Sequence, residues 1–334
     1  MENKKYLVTG GTGFIGSALV KRLINEGQDV RVLDNNLRGA AERLKENKRK
    51  VEFVNADIRD AESVQTACKG IDVVCHLAYI NGTEFFYKKP ELVLDVGVKG
   101  MVNIIDGCIR ENVKELILAS SSEVYQTPAN IPTDETAALC IPDVLNPRYS
   151  YGGGKIISEL MTINYGRKYF DRALIFRPHN VYGPDMGWEH VIPQFTLRMK
   201  DIVKNKKSKK IGFPIQGTGN EKRAFIFIDD FIDGLMLVLE KGEHLGIYHI
   251  GTMDEISIKQ VAAEVGKYFG KEVAIVPGKL SKGSTIRRCP DTAKLRKLGF
   301  KPKTSFQDGL HRTAKWYDEN AHKKPETRLG EIYI

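Results

Sequence analysis

Residues 5–16 read Lys-Tyr-Leu-Val-Thr-Gly-Gly-Thr-Gly-Phe-Ile-Gly (KYLVTGGTGFIG). The run KYLVT has the length and apolar content of a buried strand, and an amphipathic stretch over 14–26 follows as a helix. Between them the glycines at 10, 13 and 16 form a Gly-x-x-Gly-x-x-Gly pattern. Glycines there let the chain turn tightly and bring backbone N–H groups up to a diphosphate, while the helix points its positive end at the same anion. Gly16 allows close helix–strand packing. A glycine motif alone is only a turn; its place between a strand and a helix makes it a dinucleotide cradle.

Outward from this unit, apolar runs at 30–33, 51–54, 73–76, 116–119 and 173–176 alternate with helical patterns at 61–68, 90–111 and 151–169. That alternation predicts an α/β fold, a doubly wound parallel sheet covered by helices. After Pro178 it decays, and proline and glycine punctuate 177–193 and 212–220. Strand-then-helix patterns return at 225–240 and 248–267. The expected organisation is a dinucleotide-binding domain over 1–178 and a smaller, mainly substrate-binding C-terminal region over 179–334. Segments near 225–250 are expected to return to the first domain.

The 334 residues are 42% hydrophobic and 28% charged, with 51 Lys+Arg against 42 Asp+Glu and a net charge of +9. The one basic run, KNKKSKK at 204–210, has no interleaved aromatics and reads as a solvated loop rather than a nucleic-acid patch. Cysteines at 68, 75, 108, 140 and 289 form no Cys-x-x-Cys pair and lie beside no histidine cluster. No zinc site or other metal is expected, and five scattered thiols fit a reducing cytoplasm. A polar start without an apolar signal core, and the lack of any run near 20 apolar residues, predict a soluble chain without membrane association.

Asp34 ends the second strand, 18 residues after Gly16. A carboxylate there accepts both ribose hydroxyls and repels a 2′-phosphate, which favours NAD over NADP; Arg38 nearby is the contrary sign. Asp57 and Ile58, after strand three, are placed for an adenine contact or for a plain loop cap. Tyr151 and Lys155 stand four apart on a helix, hence on one face. An ammonium beside a phenol favours the phenolate and makes tyrosine a usable base. Three glycines between them are costly in a helix, about 1 kcal/mol each, so that stretch is read as a close approach or as a loop-to-helix junction. Ser121 follows strand five, where parallel sheets place their ligands; it reads as the third member of a Ser–Tyr–Lys proton relay or as part of a plain polar turn.

Taken together, TGGTGFIG (9–16), LDN (33–35), HLA (76–78), SSSEVY (120–125), YGGGK (151–155), RPHNVYGP (177–184), RAFIFIDD (223–230), RRCPD (287–291) and LGF (298–300) span nearly the whole chain. In these motifs the chain resembles the extended short-chain dehydrogenases, the NAD-dependent nucleotide-sugar epimerases, dehydratases and decarboxylases, with a Rossmann-type fold. The resemblance implies a catalytic set of Ser121, Tyr151 and Lys155. It places NAD against Gly10, Gly13, Phe14, Ile15, Gly16, Asp34, Asn35, Asp57, Ile58, Leu77, Ala78, Tyr151, Lys155 and Pro178. It assigns the nucleotide diphosphate-sugar to Asn180, Arg223 and Arg288, with Arg287 a weaker candidate, and implies a homodimer. A turn-organising Asn180 and plain surface arginines are the competing readings. Glu123, preceded by Ser122, stands where 4,6-dehydratases keep the base for C5. The resemblance therefore implies a 4,6-dehydratase, with a 4-epimerase or a uronate decarboxylase as alternatives. A non-enzymatic NAD-sensing or RNA-associated relative is disfavoured by the intact Ser–Tyr–Lys set. Two departures stand out: Tyr79 follows HLA where a small residue is usual, and Gln126 occupies a common glycine position.

Overall fold

The computed structural model describes residues 3–205, 208–279 and 285–324. Lys206 and Lys207 of the basic run lie outside them. The described chain divides into two compact units, the first comprising Met1–Val181, Ala224–Glu255 and Arg287–Lys303.

The first unit opens with β1 (Lys5–Thr9), α1 (Phe14–Asn25), β2 (Asp29–Leu33), β3 (Val51–Val54), α2 (Ala61–Cys68) and β4 (Val73–His76). It continues with α3 (Thr83–Lys88), α4 (Pro90–Leu94), a π-helical turn at Asp95–Lys99, α5 (Gly100–Arg110), β5 (Glu115–Ala119), α6 (Ser150–Tyr169) and β6 (Arg172–Pro178). A later strand, Gly246–Ile250, joins the sheet beyond β6. The order is Gly246–Ile250, β6, β5, β4, β1, β2, β3, and every pairing is parallel. The chain reverses its direction of winding between β1 and β4, and ligands of open parallel sheets sit at such a switch, beyond the carboxyl ends of the strands.

The central strands are apolar on both faces because helices cover both. Leu7, Val8, Val74, Leu116, Ile117 and Leu118 are fully buried, and each such side chain stabilises the fold by roughly 1.5–3 kcal/mol. The predicted single helix over 90–111 is two helical pieces joined by the π turn, and α3 precedes it where no helix was expected.

The second unit comprises Tyr182–Arg223, Ile256–Ile286 and Thr304–Ile334. Two of its strands, Lys210–Gln216 and Glu272–Gly278, pair in parallel, and the helices Val191–Asn205, Ile258–Tyr268 and Phe306–Glu319 pack on one another. Residues 212–216, expected as turn, are strand. Ile211, Phe213 and Ile215 alternate with exposed neighbours, and this period of two outweighs the glycine and proline in the run.

Candidate active site

The loops that follow β1 to β6, with the first turns of α1 and α6, all belong to the first unit and hold most residues marked by sequence. Gly10 has φ +70, and a Cβ there would lie 2.7 Å from the Ala78 nitrogen. A Cβ on Gly16 would overlap the Gly10 carbonyl and stand 2.9 Å from Gly11 Cα. The glycines therefore keep open a cradle that any side chain would fill. Gly13 caps α1, so Phe14, Ile15 and Gly16 form the first helical turn and direct its positive end at the loop. Thr9 Oγ1 bonds His76 Nδ1 at 2.8 Å and accepts the Ala78 N–H at 3.2 Å, which fixes Leu77 and Ala78 against the glycines.

Asp34 is buried at the end of β2, where its carboxylate accepts the N–H groups of Thr12 (3.0 Å) and Asn36 (2.8 Å). Burial raises the Asp57 carboxyl, but the bonded Arg59 guanidinium and the Asn35 amide outweigh it and hold Asp57 below the usual range. Gly10, Gly13, Asp34, Asn35, Arg38, Asp57, Ile58, Leu77, Ala78 and Tyr79 share the lining of one cleft of ≈ 580 Å³. Glycine cradle, helix end and acidic strand terminus around one cleft fit a dinucleotide. Arg38 lies over the Phe85 ring at 4.9 Å. Pro178 is the last residue of β6.

Beyond β5, Ser121 caps a short turn over Ser122–Val124 and accepts the Glu123 N–H at 3.1 Å. Its hydroxyl stands close enough to the Tyr151 phenol to favour the phenolate. Tyr151 stands in the first turn of α6, with Phe86 stacked on its ring at 5.0 Å and Tyr79 edge-on at 5.1 Å. Burial pushes the phenol well above its ordinary value; the Ser121 hydroxyl lowers it and the Glu123 charge raises it. Lys155, one turn on, is 2% exposed and donates to the Ala119 carbonyl at 2.6 Å. Burial lowers its ammonium to about 7, against an opposing pull from Glu159. The expectation was an ammonium acidifying the phenol. In this geometry Lys155 Nζ lies 5.9 Å from the Tyr151 ring centre, and burial presses both groups toward their neutral forms.

The three glycines lie inside α6, and each departure from the family pattern meets one of them. A Cβ on Gly154 would overlap the Tyr79 hydroxyl, and one on Gly152 would lie 2.6 Å from Gln126 Nε2. Gln126 takes φ +52, where glycine is at ease, and its amide bonds the Glu123 carbonyl at 2.5 Å. Close approach, rather than a junction, accounts for the glycines.

Glu123 Oε1 accepts Arg288 at 2.7 Å, and Oε2 lies 4.0 Å from Arg148. Arg288 also reaches Ser122 Oγ at 3.4 Å. The neighbouring Arg287 is bound by Glu255 through two 2.7 Å contacts. Asn180 has φ +43 and donates to the Ala224 carbonyl at 3.0 Å, a turn-organising bond. Arg223 lies in the second unit and donates to the carbonyls of Lys222, Thr285 and Ile286.

Two features had gone unread in the sequence. Arg148 stands three residues before Tyr151 and belongs to none of the motifs. Beneath the site, Arg177 and Glu159 pair through two bonds of 2.8 and 2.6 Å, Ser120 bonds Glu159, and Arg177 reaches Tyr125, which bonds His249 at 2.6 Å. Arg177 was visible only as part of RPHNVYGP, and a lone Glu159 in a helix carries no signal of burial.

A dinucleotide cradle leading straight to a tyrosine–lysine pair marks a nicotinamide-dependent enzyme. Residues 6–251 match the model of the NAD dependent epimerase/dehydratase family, and the chain belongs to that family. It is similar to a putative UDP-glucose 4-epimerase of Methanocaldococcus jannaschii, 31% identical over 317 residues, or 94% of this chain and 98% of the other. A UDP-N-acetyl-alpha-D-glucosaminuronate decarboxylase of Bacillus cytotoxicus is 28% identical, covering 95% of this chain and 98% of that protein. The crystal structure of DesIV, a dTDP-glucose 4,6-dehydratase of Streptomyces venezuelae with NAD bound, matches at a TM-score of 0.84 and 29% identity, over 96% of this chain and 98% of that one. Relatives of all three reaction classes occur, so kinship defines a nucleotide-sugar enzyme and leaves its reaction to the site.

Proposed function

We propose that this chain is a nucleotide-sugar 4,6-dehydratase that works through a 4-keto sugar. The observation that carries the reading is the Glu123 carboxylate, two residues from Ser121 and held in place by Arg288 and Arg148. Tyr151 Oη, as the phenolate, takes the proton of the sugar's 4-hydroxyl, and the Ser121 hydroxyl beside it favours that charged form. When bound, NAD supplies the acceptor for the C4 hydride. The ketone so formed acidifies C5–H, and Glu123 removes that proton as the C6 hydroxyl leaves. Ser122 and Arg288 lie beside the same carboxylate, and Asp34 and the glycine loop hold the adenosine end.

Two guanidiniums at Glu123 favour one second reading, a nucleotide hexuronate whose carboxylate they bind and whose 4-keto form loses carbon dioxide. Products from a panel of nucleotide hexoses and hexuronates, read by mass, separate the two: loss of one water supports dehydration, loss of carbon dioxide the second reading. An unchanged mass with inverted C4 would mean epimerisation and reject both. Deuterium placed at C4 should arrive at C6 in a dehydratase. Glu123→Gln should lower dehydration about 10²-fold or more, within the range for a lost general base, and would leave an epimerase largely active.

The assembly we propose is a homodimer, supported by the apolar residues Val102, Ile157, Leu160, Tyr165 and Tyr169 exposed on α5 and α6. Free Cys68, Cys75, Cys108, Cys140 and Cys289 support a cytoplasmic setting. No helix among the described residues is long and apolar enough to cross a membrane.

A further inference from the structure

We propose that Tyr79 is a positioning residue for Lys155, keyed into a slot that Gly97 and Gly154 leave open between the two helical segments bordering the site. The proposal rests on the reading above that Lys155 works with Tyr151. Three independent contacts carry it. The Tyr79 ring centre lies 4.0 Å from Lys155 Nζ, a cation–π distance. Its edge packs on the Tyr151 ring. Its hydroxyl is buried without a hydrogen-bond partner, in a space that a Cβ on Gly97 or on Gly154 would occupy.

Each of these features is costly alone. A buried phenol oxygen without a partner is unfavourable, glycine weakens a helix, and the turn holding Gly97 is a π turn, a rare form often found at functional sites. They become mutually necessary once the ring must stand over the lysine. Tyr79 also lines the dinucleotide cleft, so one side chain borders both the cofactor site and the ammonium. Besides the two phenols, the ammonium faces the Ala119 carbonyl on β5, His76 on β4 and Glu159 on its own helix. Of these, Tyr79 is the one that lines the cleft.

The test uses the full chain and three readouts that do not need turnover: thermal unfolding, NAD affinity, and the titration of Lys155 followed by NMR of ε-carbon-labelled lysine, assigned with Lys155→Met. Tyr79→Ala admits water and should raise the Lys155 titration by about one pH unit or more. Tyr79→Phe keeps the ring and should leave it unchanged. Gly154→Ala, forced against the ring, should weaken NAD binding about tenfold or fail to fold, whereas Tyr79→Ala/Gly154→Ala should fold and bind NAD within about threefold of Tyr79→Ala alone. An unmoved lysine titration in Tyr79→Ala, or a double variant no better than Gly154→Ala, overturns the proposal. Failure of the reaction assigned above would appear instead in the product masses and leave these readouts intact.

Discussion

Lys155 is an amine kept in a place that disfavours its charge, and this couples its proton to the fold. Its folded value of about 7 lies below the ordinary 10.5, so between those two pH values the unfolded chain holds a proton that the folded chain has lost. Stability from this group therefore rises as pH climbs through the window, by at most about 1.4 kcal/mol per pH unit, and is least below pH 7. Urea unfolding at pH 7, 8 and 9 should show the native chain gaining on Lys155→Met; parallel profiles would contradict it. Glu159 and Arg177 set the opposite case, two charges that satisfy each other almost out of water, at 3% and 2% exposure. Glu159→Gln should cost roughly 3–5 kcal/mol by leaving the guanidinium unpaired, with much of the loss recovered in Glu159→Gln/Arg177→Met. Single residues were readable in the sequence where their position had one purpose, as Asp34 at a strand end. Tyr79 and Gln126 were readable as departures, but the glycines that accommodate them meet them only in three dimensions.

Among the elements, the β1–α1 unit concentrates the cofactor chemistry, and its last glycine is the most exacting. Gly16→Ala would drive a methyl into the Gly10 carbonyl. The loop must then shift, and NAD affinity should fall about tenfold or more, measurable by calorimetry, while the sheet behind it still folds. The six strands and their order of appearance were legible because strands buried on both faces read as apolar runs and the covering helices as amphipathic ones. Less legible were α3, a helix of two turns, and the π turn, which shifts the helical phase with only Gly97 inside it as a sign. Lys210–Gln216 was hidden for another reason: its glycine and proline advertise a turn, yet Ile211, Phe213 and Ile215 keep strict alternation.

For the molecule as a whole, the apolar residues displayed on α5 and α6 predict association. The native chain should sediment as a dimer, and Leu160→Asp, at a side chain 58% exposed in the single chain, should yield monomers with little change in the unfolding midpoint of the monomer. The first unit is assembled from three stretches of sequence, and the last of them, Arg287–Lys303, brings Arg288 to Glu123. A ribosome has therefore released the glycine loop, Arg148, the tyrosine and the lysine long before the second guanidinium at Glu123 exists. A fragment ending at residue 181 would contain β1 to β6 and the glycine loop, yet carry Glu123 without Arg288, its partner at 2.7 Å. Clipping or premature termination ahead of residue 288 would thus yield a protein that keeps the glycine cradle but has lost the guanidinium nearer to Glu123.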